Sequence, residues 1–308
     1  MSVQQALATA VLAATLLLVT GVTRYDSSKR YIKYEVGALS VIITAPHGGN
    51  LRPSSIPIRQ AGSYSPVTGC NYRHNSGTPD NYHCGVRLFK DSYTSYIASH
   101  IADELLTLTG HRPHVIYNRL HRSRLDANRE VNEATLNVQE AIHAYNNFTA
   151  FINAAKASIG GRALLLDIHG QTHAANWTEL GYSISKTRLN TGSFSAQHST
   201  IKAIGMHVCN TDNACFQDLV RGSSPNSLGY YLSNEGYRVV PSPVFPSPGG
   251  NGYYSGGYDV RTHGSRYSGV VDAIQVEIPR EERFSSVRRP KVARALARAV
   301  KYFMDDHY

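Results

Sequence analysis

Cysteine is scarce in this chain, and its spacing does not suit a metal cluster. The 308 residues contain four, at positions 70, 84, 209 and 215. No two pairs follow the double Cys-x-x-Cys pattern of a structural zinc site. Two local disulfides, Cys70–Cys84 and Cys209–Cys215, are therefore the simplest of three pairings, with cysteine-bound zinc as the alternative. Long apolar runs are also missing: after the first two dozen residues, no segment is long enough to span a bilayer. No Lys/Arg run is interleaved with aromatics and no nucleic-acid motif is present, which excludes nucleic acid as a partner. No linker divides the chain, and nothing suggests a repeat array or a disordered protein. Acidic residues are in deficit, 22 against 31 Lys and Arg, giving a formal charge of +9. That balance is either a solvated basic surface or a field that steers an anionic substrate.

The N-terminus has the run that the rest of the chain lacks. Ala6 to Val22 is apolar and rich in Ala and Leu, and Gly21-Val22-Thr23 offers small residues for cleavage. Residues 1–23 read as a secretory signal peptide, with a short signal anchor as the alternative because the first five residues hold no basic side chain. Removal leaves a chain, 24–308, with no stable membrane span. A secreted, extracellular setting suits the disulfides. It would also make Asn147-Phe148-Thr149 and Asn176-Trp177-Thr178 glycosylation acceptors at Asn147 and Asn176.

Strand-like and helix-like segments alternate. Tyr31–Val36, Leu39–Thr44, His114–Asn118, Arg162–Ile168, Tyr182–Ser185, Tyr237–Val240 and Ala273–Ile278 read as strands. Asp91–Leu108, with Ile97, Ile101, Leu105 and Leu108 at helical spacing and Gly110 as its stop, reads as a helix. Glu130–Ala157, Ser199–His207 and Lys291–Met304 read likewise. The pattern predicts one α/β domain with a mostly parallel mixed sheet and helices on both faces. The long loop from His47 to about Phe89 is the kind that usually carries function.

Two histidines close such strands and are each followed by glycine: His47 in Ala45-Pro46-His47-Gly48-Gly49 and His169 in Asp167-Ile168-His169-Gly170. The carboxyl edge of a parallel sheet is where ligands sit in open α/β folds, and two imidazoles sharing a site point to a metal, Zn2+. A catalytic zinc takes three protein ligands. Asp91, opening the first long helix after His47, is the candidate third; the competing reading is a plain helix N-cap. Asp167 lies on the same side as His169 and can orient it from behind. Arg122, Arg124, Asn128 and Arg129 crowd one short segment, suited to a carboxylate and a polarised carbonyl, or merely to a charged loop. Glu277 sits inside the apolar strand Val270–Ile278, where burial raises a carboxyl pKa toward that of a general base; a salt bridge to a core Arg is the alternative. Arg261 and His263, in the Tyr/Gly-rich stretch 253–264, are substrate contacts on a flexible lid or part of a surface loop.

In their order, Pro46-His47-Gly48-Gly49, Arg124-Leu125-Asp126-Ala127-Asn128-Arg129, Asp167-Ile168-His169, Gly256-Gly257…Arg261…Gly264 and Gln275-Val276-Glu277 resemble the motifs of the N-formylglutamate amidohydrolase family, across about residues 40–300. That family is similar in fold to zinc carboxypeptidases of the carboxypeptidase A type, and so to phosphorylase/hydrolase-like domains. The resemblance implies metal roles for His47 and His169, carboxylate binding by Asn128 and Arg129, and catalysis by Glu277. The chain departs at the carboxypeptidase His-x-x-Glu: the residue three after His47 is Asn50, and Asp91 becomes the substitute ligand. The implied reaction is zinc-dependent hydrolysis of an amide beside a carboxylate, with Glu277 as base and then acid and Arg122 or Arg124 at the oxyanion. The substrate would be a small anionic amide or a peptide end. A metallocarboxypeptidase or poly-γ-glutamate-type hydrolase is the alternative, and a non-catalytic secreted binding protein a further one.

Overall fold

The structure, a computed structural model, describes residues 21–308 except 76 and 225. Most of the expected signal segment, residues 1–20, therefore lies outside the described residues; Thr23 already belongs to a strand. Strands β1 (Thr23–Tyr25) and β2 (Ile32–Glu35) pair antiparallel at one sheet edge. β3 (Leu39–Ala45) follows and delivers Pro46-His47. Among the described residues, the connection from there to Tyr93 contains as strands the hairpin β4 (Ser63–Ser65) and β5 (Gly69–Asn71), and it is pinned by the Cys70–Cys84 disulfide. Helix α1 (Thr94–Thr109), strand β6 (Pro113–Asn118), helices α2 (Val131–Thr135) and α3 (Gln139–Ile159), and strands β7 (Ala163–Gln171) and β8 (Thr178–Gly181) continue the alternation. Then come α4 (Lys186–Thr191), α5 (Lys202–Cys209), α6 (Asn213–Arg221), α7 (Leu228–Asn234) and β9 (Val239–Val240). α8 (Tyr258–His263), β10 (Val271–Pro279), α9 (Arg280–Phe284) and α10 (Arg288–His307) end the chain.

Eight strands form one mixed sheet in the order β1-β2-β6-β3-β7-β10-β8-β9. Its centre, β6-β3-β7-β10, is parallel throughout, and antiparallel pairs flank it. Alternate side chains of the central strands feed two cores. Val41, Ile43, Leu164 and Leu166 pack with Ile97, Ile101 and Leu105 of α1 and with Val292, Leu296 and Phe303 of α10. Ile42, Ile116 and Leu165 face Ala144, Phe148 and Ile152 of α3 on the other side. Period-two strands thus meet period-3.6 helices on both faces, as the sequence pattern predicts. Both expected disulfides are formed; Cys209–Cys215 joins the end of α5 to the first turn of α6.

Several expectations are corrected. Residues 182–185 are not a strand: β8 ends at Gly181, and Ser183 takes a left-handed φ of 62°, which breaks an extended ladder. The single helix expected over 130–157 is two, because Leu136 and Asn137 adopt φ of 50° and 58°. The stretch expected as a lid contains helix α8, which carries Arg261 and His263. Helix α1 starts three residues after Asp91, with Tyr93 at its N-cap position and no side-chain cap. Of the acceptor asparagines, Asn147 lies half-buried within α3 and Asn176 half-buried just before β8. Among the described residues, no helix is long and apolar enough to cross a membrane.

At the far end of the sheet from the histidines, His114 of β6 is buried against Tyr34 Oη (2.8 Å) and the Gly37 amide (3.2 Å). Burial pushes its pKa down from 6.5 to about 4. A histidine lowered in the folded state stabilises the fold at pH above 6.5, and that contribution is lost as pH falls from 6.5 toward 4. Comparing wild type with His114→Gln in denaturant titrations, the wild type should lose about 2 kcal/mol relative to the variant between neutral pH and pH ~4, allowing for solvent screening. An unchanged difference across that range contradicts the assignment.

Candidate metal centre and active site

Three parallel strands bring the chemistry to one edge. His47 lies two residues beyond β3, His169 is near the end of β7, and Glu277 of β10 pairs in register with His169. Gly48 and Gly49 allow the sharp exit after His47. A Cβ on Gly48 would lie 2.1 Å from Ser95 Oγ, and one on Gly49 2.3 Å from the Arg119 backbone. Asp91 arrives from the long loop because its amide donates to the His47 carbonyl (3.1 Å). Asn118, at the end of β6, donates to the Pro46 carbonyl (2.9 Å) and tethers the same corner.

The result is a convergence of three acceptor atoms. His47 Nδ1 lies 3.1 Å from His169 Nδ1 and 3.3 Å from Asp91 Oδ2; His169 Nδ1 lies 3.1 Å from the same oxygen. The far nitrogens face away, each onto a buried carboxylate: His47 Nε2 to Asp126 Oδ1 at 2.6 Å and His169 Nε2 to Asp167 Oδ2 at 2.7 Å. Each Nε2 thus has a carboxylate acceptor behind it, and with a metal on the Nδ1 side the remaining ring proton would sit on Nε2 and be donated to Asp126 or Asp167. Those contact lengths match the edges of a tetrahedral zinc shell, about 3.3 Å for bonds of about 2.0–2.1 Å. His47, Asp91 and His169 therefore fit a divalent metal. Asp91 is no helix cap; besides facing the two rings, its Oδ2 accepts the Gly170 amide (3.3 Å).

The electrostatics follow from burial. Burial pushes the Asp91 carboxyl up, but His169 and His47 outweigh it and hold it well below the usual carboxylate range. Desolvation likewise opposes charge on His169, while Asp167 and Asp91 favour it; the balance lies well above 6.5. Asp126 is fully buried, yet His47, Arg122 and Arg59 keep its pKa low. Glu277 is pushed up to about 8, first by burial and then by the nearby Asp91 and Glu179 carboxylates, against the pull of His169 and Arg122. Its Oε1 accepts from Gln275 Nε2 (2.9 Å) and its buried Oε2 has no partner.

His47, Asp91, His169 and Glu277 line a cavity of about 510 Å³. Arg122, Asn128, Arg129 and Arg261 also line it. Arg122 Nε donates to Asp126 Oδ2 (2.8 Å) and its Nη1 is 3.6 Å from Asp91 Oδ1. The Asn128 amide nitrogen is 3.1 Å from His169 Nε2, and its Oδ1 accepts the Asp259 amide (2.8 Å). Arg129 is held by Glu133 Oε1 (3.0 Å). Two expected residues are not brought there. Arg124 turns to the Ile56 carbonyl, and His263 is buried on α8 away from the cavity, its carbonyl accepting Lys156 Nζ (2.6 Å).

Sequence reading missed four residues that build the site. Asp126 backs His47 as Asp167 backs His169. Arg59, from the long loop, donates to the Arg122 carbonyl (3.0 Å) and lies 3.5 Å from Asp126. Gln275 holds both Glu277 and the Gly257 amide (2.6 Å). Asp259 is buried with Oδ2 unpartnered. Of these, Asp126 and Gln275 had a local signal: both lie inside the ordered motifs, and Asp126 is spaced four from Arg122.

No family model matches the chain, and no curated protein matches it. Among solved structures it is similar to gene product Atu2144 from Agrobacterium tumefaciens, at 11% identity over 89% of this chain and 95% of that one, with a TM-score of 0.48. It is also similar to a metallo-carboxypeptidase from Burkholderia cenocepacia (12% identity, 96% of this chain and 68% of that one, TM-score 0.43). A third is the N-acetylmuramyl-L-alanine amidase Ami1 from Mycobacterium abscessus (12%, 86% and 98%, TM-score 0.36). At these values the likenesses assign no activity to this chain.

Removing Asp126 leaves His47, Arg122 and Arg59 without their shared carboxylate. Asp126→Ala should therefore destabilise the fold by about 3–5 kcal/mol, the cost of breaking a buried charge network. Urea unfolding measures it; a change below about 0.5 kcal/mol contradicts the network's structural role.

Proposed function

We propose that the chain is a secreted zinc-dependent amidohydrolase that cleaves an amide beside a carboxylate-bearing residue. The observation that carries this reading is the convergence of His47 Nδ1, His169 Nδ1 and Asp91 Oδ2 within 3.1–3.3 Å, next to a buried glutamate with a free oxygen. When bound, Zn2+ supplies a Lewis acid for the amide carbonyl and acidifies a water toward neutral pH. The two disulfides suit an oxidising compartment.

The chain's own groups divide the remaining work. In its ionised form Glu277 takes a proton at Oε2 from the attacking water and returns it to the departing amine nitrogen; a carboxyl pushed up to about 8 holds that proton well between the two transfers. Gln275 fixes the other oxygen, so the free one stays aimed by the β10 backbone. Arg122, pinned by Asp126, presents positive charge beside Asp91 where negative charge develops on the carbonyl oxygen. The substrate carboxylate is held by Arg129, with Arg261 across the cavity; Asn128, whose Oδ1 accepts the Asp259 amide, sets the wall between them. A metallocarboxypeptidase acting on a peptide end would use the same groups.

Glu277→Gln should retain metal and lose about 10²–10⁴-fold in kcat. Elemental analysis and a panel of N-acyl amino acids and peptides, assayed with and without chelator, make the test. Full activity in that variant contradicts the role of Glu277, and chelator-insensitive hydrolysis contradicts the metal.

A further inference from the structure

The candidate metal centre lies at the junction of two chambers. Asp91, Arg122, Gly170, Arg87 and Tyr254 line both the cavity described above and a second one of about 920 Å³. The second chamber is strongly cationic. Arg52, Arg87, Lys90, Arg124, Arg280 and Arg283 line it, and its one carboxylate, Asp91, is committed to the two histidines. Among the described residues, none of those six cations makes an ion pair with an acid.

This is more than a solvated basic surface. Arg283 is only 3% exposed; its three nitrogens donate to the carbonyls of Ile278, Ser92 and Gln171, and among the described residues it makes no ion pair, with Asp91 and Glu277 acting on it only from a distance. Arg124 Nε is buried with no partner. His121 on the same wall has its pKa lowered by burial and then by Arg52, Lys90 and Arg124, a sign of mutual repulsion in the chamber. The buried Arg283 and Arg124 Nε are costly as charges in a low-dielectric wall, and with the exposed Arg52, Arg87 and Arg280 around them they give the chamber a field that favours an entering anion. The walls between the cations are apolar, with Phe89 and Phe284.

Resting on the amidohydrolase reading, we infer that this chamber takes the acyl side of the scissile amide and that the acyl group carries a carboxylate. An amide at the junction has its amine half beside Arg129 and Arg261 and its acyl half among Arg52, Arg124 and Arg280. The substrate is then acidic on both sides of the bond, an acidic peptide or oligomer rather than an amino acid with a small neutral acyl cap.

Two isosteric substrates separate the possibilities: N-succinyl-glutamate, whose acyl end is a carboxylate, and N-succinamyl-glutamate, whose acyl end is a neutral amide. The wild-type protein should favour the first by about 10–100-fold in kcat/KM, the range of a charge-assisted hydrogen bond. Arg52→Gln and Arg280→Gln, both at exposed positions that tolerate change, should each cut that ratio several-fold, mainly through KM. Equal rates on both substrates overturn this inference and leave the hydrolase reading standing. If neither substrate is cleaved, the hydrolase reading fails and the chamber is judged by calorimetric binding of tetraglutamate against tetraglutamine. Preference for tetraglutamate, weakened in Arg52→Gln, supports the anionic chamber; equal or absent binding overturns it.

Discussion

The site depends on two buried carboxylate–imidazole pairs, Asp126–His47 and Asp167–His169. With a metal bound, each carboxylate would hold a proton on Nε2 and leave an Nδ1 lone pair facing the same point. Neither ring could choose that tautomer alone. Asp126 is itself held by Arg122 and Arg59, and Asp167 by Thr44 Oγ1 (2.7 Å) from the neighbouring strand. The orientation of the metal-facing atoms is thereby tied to the register of β3 against β7, where Thr44 pairs with Asp167. A slip of β3 by one residue would turn its side chains to the opposite face and part His47 from His169.

The same arrangement explains the charge imbalance. Asp91, Asp126, Asp167, Glu277 and Asp259 crowd around two imidazoles, with Arg122 and Arg59 as the close cations. Burying carboxylates in that ratio is costly unless a cation or protons join them. Glu277 and Asp259 meet the cost through raised pKa values, while the Asp91 corner is shaped for a divalent ion. Just outside, the sign reverses into the cationic second chamber. With a dication held there, as proposed, the floor and the cationic walls would together suit an anionic chain.

Much of this was legible in the sequence because it rests on local pattern. Strand parity placed Asp167 behind His169, and strand–His–Gly placed both histidines at the sheet edge. Cysteine spacing gave the two bridges. What was not legible depended on long-range packing. Asp91 is legible as the candidate third ligand, but a helix cap stays open beside it because the sequence does not reveal that Tyr93 takes a left-handed turn and delays the helix. Arg124 and Arg122 are alike on paper; only the course of the long loop sends one to Ile56 and the other to Asp126. Arg59 sits in a stretch without periodicity, and its burial arises from tertiary contacts alone. Ser183 and Leu136 ended elements through positive φ at non-glycine residues, which propensity does not foresee.

The central claim is that His47 and His169 present Nδ1, together with Asp91 Oδ2, to one metal ion. Its most direct test is a crystallographic anomalous-difference map collected on either side of the zinc absorption edge, from protein purified without added chelator. The account predicts one zinc peak about 2.0–2.1 Å from both Nδ1 atoms and from one Asp91 oxygen, with both Nε2 atoms still bonded to Asp126 and Asp167. Zinc bound through Nε2, or no peak at these three residues after zinc loading, would contradict it.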